Sequence, residues 1–117
     1  MSDAAIISGN LVIKREKRWA SIELPYPVKQ LLLMPEAYIV RFEAPPGRIL
    51  NENVIALNES GEIIWTISTA KHVYPDSPCT NIYADSDSRF IWASNWDGAE
   101  RKIDVATDQT VMTRYTR

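Results

Sequence analysis

Along most of the chain apolar and polar residues alternate in short runs broken by Gly, Pro, Asn and Asp, the period of half-buried strands rather than of helices. Ile6-Ile7 and Leu11-Val-Ile13 flank Ser8-Gly-Asn10, which predicts an opening hairpin. The next strand, residues 19–24, stops at Pro25 and Pro27, because proline has no N–H to give to a ladder. Residues 28–34 and 38–43 read as strands joined through Pro35-Glu36, although 31–38 would also tolerate a helical turn. Residues 54–68 predict a hairpin about Glu59-Ser-Gly-Glu62, where Gly61 takes positive φ at little cost. The segment 71–88 is loop-like, with a short strand at 81–84, and three more strands follow near 89–94, 100–106 and 110–116. About ten short strands with no sustained helical period predict one all-β domain over residues 1–117, built of stacked antiparallel sheets.

The strand pattern occurs twice. Residues 54–67 lie on 102–115 at an offset of about 48, with Ile55 on Ile103, Leu57 on Val105, Ile63 on Val111 and Ile67 on Tyr115. Upstream, Ile39-Val-Arg-Phe-Glu43 and Phe90-Ile-Trp-Ala-Ser94 pair at an offset of about 51, so the second connecting loop is expected to be three residues shorter. A repeat of about 40 to 50 residues made of short strands points to propeller blades or a similar stack. The copies lie near 38–68 and 89–116. A closed propeller takes about four blades or more, whereas this length has room for two to three sheets. A half-propeller or a β-sandwich is expected.

Composition narrows the chemistry. With Cys79 alone, no disulfide forms within the chain, and with His72 the only histidine, no Cys/His set can hold structural zinc. The start of the chain lacks the basic-then-apolar pattern of a signal peptide, and Leu31-Leu-Leu-Met34 is too short to span a bilayer. A cytoplasmic protein is expected. Net charge is −2, but residues 1–50 carry seven Lys/Arg against five Asp/Glu, and residues 51–117 six against ten. The basic run at 14–18 reads as a solvated hairpin tip rather than a nucleic-acid face.

No catalytic motif emerges. A Cys–His dyad would have to use His72 and Cys79. Asp85-Ser-Asp-Ser88 opens like a calcium loop, but Phe90 and Trp96 stand where such a loop needs Gly and Glu, so it reads as a turn. Asp97 and Glu100 could pair for glycosidase work only if the fold spaced them suitably. A non-enzymatic protein without cofactor or metal is the expectation. Among the tryptophans, Trp65 and Trp92 lie inside strands and are expected in the core. Trp96 lies in the turn Asn95-Trp-Asp-Gly98, where burial is harder and a partner contact fits.

The strings Asn53-Val-Ile-Ala-Leu-Asn-Glu-Ser-Gly-Glu-Ile-Ile-Trp65 and Ala93-Ser-Asn-Trp-Asp-Gly98 with Ile103-Asp-Val-Ala-Thr107 resemble blades of bacterial β-propellers. In such blades a strand ending in Ala-Leu-Asp meets a Gly-containing turn and a second strand bearing Trp. The second copy departs from this at Gln109 and Thr113. Taken whole, the chain is similar to immunity proteins of contact-dependent growth inhibition systems, some of which are compact half-propeller or sandwich folds. The resemblance implies binding and neutralisation of a cognate toxin, often a basic nuclease domain, and carries over no particular residues. The acidic run from Asp76 to Asp108 would steer such a partner, or simply keep the surface soluble. The expected partner contacts are Asp76, Asp85, Asp87, Asn95, Trp96, Asp97 and Glu100. Two other classes stay open: a self-associating scaffold module forming homo-oligomers, and a small-ligand or carbohydrate binder using Trp96 and the nearby Asp.

Overall fold

A computed structural model describes residues 3–67 and 77–115. The first hairpin, β1 (Ala4–Ile7) and β2 (Asn10–Arg15), turns on Ser8 and Gly9, both at positive φ (50° and 79°). Such a turn matches the right-handed twist of paired strands. The same device at Glu16 and Lys17 (46° and 71°) returns the chain into β3 (Arg18–Ile22), so the basic run at 14–18 is a hairpin tip as expected. These three strands form the first sheet.

The second sheet is a meander of β4 (Val28–Leu33), β5 (Tyr38–Phe42), β6 (Val54–Leu57) and β7 (Ile63–Thr66). The third repeats it with β8 (Cys79–Ala84), β9 (Phe90–Asn95), β10 (Ala99–Asp104) and β11 (Thr110–Tyr115). The stretch 31–38 therefore stays extended and turns tightly, with Met34 N–H donating to Ala37 O. Among the described residues no helix is long and apolar enough to cross a membrane.

The second sheet lies between the other two and is buried on both faces. Tyr38, Val40, Phe42, Ile55 and Leu57 pack toward Leu11 and Ile13 of the first sheet. Ile39, Val54, Ala56, Trp65 and Ile67 pack toward Ile82, Ile91, Ala93 and Ile103 of the third. Alternate residues of one strand point to opposite faces, so a doubly covered sheet needs unbroken apolar runs. Tyr38-Ile-Val40 and Val54-Ile-Ala-Leu57 supply them.

The repeat is present, with a corrected register. Val28 pairs with Phe42 and Cys79 with Asn95, and each ladder slips one residue further along, before Gln30 and before Asn81. The slip between Ala56 and Leu57 has its match between Lys102 and Ile103. Leu57 thus corresponds to Ile103 rather than to Val105, two residues from the sequence-based superposition. An even slip keeps every side chain on its face, which is why the pattern looked sound at either register. The connecting loop shrinks further than expected, from residues 43–53 to residues 96–98.

Candidate functional site: a loop-end cleft and a polar outer face

The ends of β5 and β9 and the starts of β4 and β8 meet at one end of the stack. Side-chain amides tie the loops there. Asn53 Nδ2 donates to Cys79 O (2.7 Å) and Asn53 Oδ1 accepts from Cys79 N–H (3.1 Å), so one side chain does what a neighbouring strand would do. Asn95 Nδ2 donates to Ser77 O (2.7 Å), and Ser77 N–H donates to Asn51 Oδ1 (2.9 Å). The Cys79 thiol between these strands is buried, and burial pushes its pKa up to about 11.

On this frame sits the turn after β9. Gly98, at φ 85°, donates its N–H to Asn95 O, Trp96 N–H donates to Pro78 O, and Asp97 Oδ1 accepts from Ala99 N–H. Among the described residues only the backbone of Trp96 is hydrogen-bonded, and the residue is 58 % exposed. Its indole borders a cleft of about 220 Å³ between the second and third sheets. Ile49 and Leu50 give the cleft apolar lining, and Lys29, Arg41 and Arg48 give it positive charge. Arg41 Nε donates to Gln30 Oε1 (2.6 Å). That oxygen also accepts from Ile82 N–H (3.0 Å), while Gln30 Nε2 donates to Asn81 Oδ1 (2.8 Å). Arg41 is therefore held by a residue that itself bridges β4 and β8.

The face of the third sheet turned away from the second is polar and aromatic. Glu100 accepts hydrogen bonds from Ser94 Oγ (2.8 Å), Tyr83 OH (2.8 Å) and Arg114 Nε (2.9 Å). Those bonds, the Ser94 hydroxyl first, hold its carboxyl below the ordinary range. The Arg114 guanidinium lies over the Trp92 ring at 4.0 Å, and Trp92 stacks with Tyr83 at 6.4 Å. Trp92 Nε1 donates to Asp85 Oδ1 (2.8 Å), the main cause of a lowered Asp85 pKa, with Lys102 3.6 Å from Oδ2.

The expected contact residues do not form one patch. Asp85 and Asp87 shape the β8–β9 turn, at the far end of that hairpin from Trp96, and Asp87 pairs with Arg89 (2.9 Å). Glu100 is 9 % exposed and spent on its own sheet, and Asn95 is 6 % exposed and spent on the loops. Both are structural supports in this geometry rather than free contacts. Trp96 and Asp97 stay together at the cleft end, while Asp76 lies outside the described residues. So does His72, and with it the Cys–His pair. Among the described residues no three His, Cys, Asp or Glu side chains gather to hold a metal. Trp65 is in the core as expected, with Nε1 donating to Val105 O (2.7 Å). Trp92 is buried outside that core, beneath Arg114. Sequence reasoning missed Lys29, Arg41 and Arg48, which come from three separate segments. The available signal was Arg41, a charge inside an otherwise apolar strand.

Three stacked antiparallel sheets, two of them repeating one four-strand meander, define a propeller-like all-β module. The chain belongs to the family described as Domain of unknown function (DUF7957), which matches residues 1–115. Among solved structures it is similar to the propeller-type protein BamB from Moraxella catarrhalis, with a TM-score of 0.64 and 19 % identity over 92 % of this chain and 31 % of that one. It is also similar to the computationally designed Ika8 protein, with a TM-score of 0.60 and 10 % identity over 97 % of this chain and 36 % of that one. The chain thus spans about a third of the length of these structures. No match was found among curated proteins.

Proposed function

We propose that this chain is a non-enzymatic binding module that engages a protein partner with the loop end around Trp96. The observation that carries the reading is an exposed tryptophan carried at the rim of a cleft on a turn whose backbone is held by hydrogen bonds. A half-solvated tryptophan on a fixed backbone beside a concave surface is the composition of an interface hot spot. In its specific form the module is an immunity protein, neutralising a cognate toxin domain by covering its working surface. The split of the acidic residues between two ends supports contact through Trp96 and Asp97 more than through a continuous acidic run.

Co-expression with the toxin domain encoded beside its gene tests this. Growth rescue by the wild type, lost in Trp96→Ala with the fold intact, is the expected result. Rescue that survives Trp96→Ala removes the assigned surface, and absence of both rescue and binding by the wild type removes the toxin. Against self-association stands the outer face of the third sheet, whose Glu100, Arg114 and Tyr83 already satisfy one another.

A further inference from the structure

We infer that the partner segment received by the Trp96 cleft is acidic: a peptide segment that places a carboxylate against Arg41 and Arg48 and an apolar side chain against Trp96. This rests on the binding reading above and reverses the charge that the sequence alone suggested for the partner.

Three cationic side chains, Lys29, Arg41 and Arg48, line the cleft against one carboxylate, Glu43, among the described residues. Lys29 and Arg48 make no ion pair among the described residues. Among the described residues Arg41 is hydrogen-bonded through Nε, and the bond to Gln30 fixes the plane of its guanidinium. An arginine fixed in this way loses little side-chain entropy when a carboxylate docks on its remaining donors, the geometry in which charge-assisted bonds are strongest.

The same surroundings argue against a nucleic-acid strand. A phosphate backbone needs a long track of positive charge, whereas this cleft has room for a side chain or two and is lined by Ile49, Leu50 and Trp96. The whole chain is also net negative, at −2. Carboxylate plus apolar side chain, supplied by an acidic polypeptide, fits both halves of the lining.

Panning a random-peptide display library against the whole protein tests the inference, followed by affinity measurements on the enriched peptides. The expected binders are rich in Asp or Glu beside an apolar residue, weaken with salt, and bind about tenfold more weakly to Arg41→Gln and to the exposed-site variant Arg48→Glu. Amide-for-carboxylate versions of the same peptides should lose binding to a similar degree. Binders that need Trp96 but show no acidic bias, or ignore both arginine variants, overturn the charge assignment and leave the binding surface standing. Preference for a single-stranded oligonucleotide over every peptide overturns it in favour of a nucleic acid. A library that yields no binder dependent on Trp96, Arg41 or Arg48 overturns both readings.

Discussion

Val54 and Glu100 hold the same place in successive sheets: Val54 pairs with Arg41 across β5–β6, and Glu100 with Ser94 across β9–β10. Followed along the ladders, the correspondence covers most of the face, Trp65 alone of the set keeping an apolar counterpart, the exposed Met112. Leu32, Met34, Ile39, Val54, Ala56 and Ile67 of the second sheet become Tyr83, Asp85, Trp92, Glu100, Lys102 and Arg114 in the third. The first set meets another sheet, and the second meets none among the described residues. Terminal units of stacked arrays need a polar outer side, and here one repeat supplies it by exchanging apolar residues for a closed hydrogen-bond network.

Restoring the apolar set should therefore make this face adhesive. The double variant Glu100→Val, Arg114→Ile carries the residues of the second sheet at those positions. It should fold and associate, with a larger mass than the wild type by light scattering at equal concentration. An unchanged mass would show that the network does not keep this face apart.

Acid should loosen the same network. Glu100 and Asp85 both have lowered pKa values, Glu100 through the Ser94 and Tyr83 hydroxyls and Arg114, Asp85 through the Trp92 indole. The folded chain thus gives up these protons at a lower pH than the unfolded chain. The associated stability is fully present above the ordinary carboxylate range and is lost as pH falls through it toward the depressed folded values. Urea midpoints should stay level from neutral pH down to about pH 5 and then drop, and Glu100→Gln should show a shallower drop. An equally steep acid limb in that variant would assign it to other carboxylates.

Asn53 binds Cys79 through both its amide donor and its acceptor, in a buried setting. Asn53→Ala leaves the Cys79 N–H and C=O without that partner. Chemical denaturation should show a loss of about 2–4 kcal/mol, the cost of about two orphaned buried groups. A loss below about 0.5 kcal/mol would mean that water enters and replaces the amide.

Cys79 should be slow to react. It is 2 % exposed, and desolvation holds its thiol at about 11, so little thiolate is present at neutral pH. A thiol-specific chromogenic disulfide should label the native protein far more slowly than the urea-unfolded chain. Equal rates would mean that the β8 edge opens readily.

The tryptophans should divide by position. Trp65→Ala removes a side chain from the core and the bond to Val105 O, and should cost about 3–5 kcal/mol. Trp96→Ala should leave thermal stability within about 0.5 kcal/mol of the wild type, since only its backbone is bonded. A large loss at Trp96 would make it a packing residue and undercut the proposed surface.

Local signals along the chain set the strands, the turns and the existence of the repeat. Period-two alternation, Gly at positive-φ turns, and prolines between strands are such signals, and they placed the described strands within a residue or two. They also marked Trp96 as exposed, because a tight turn offers a bulky ring little to pack against. Tertiary structure alone decided the register of the repeat, since a slip of two residues preserves the side-chain pattern that sequence reads. It also decided what each charge does. Glu100 and Asp85 looked like free surface acids, but lie across the sheet from Arg114 and Lys102, which neutralise them. Lys29, Arg41 and Arg48 looked scattered, but three segments bring them to one cleft. Electrostatic setting depends on distances through space between residues far apart in the chain, and no local pattern encodes those distances.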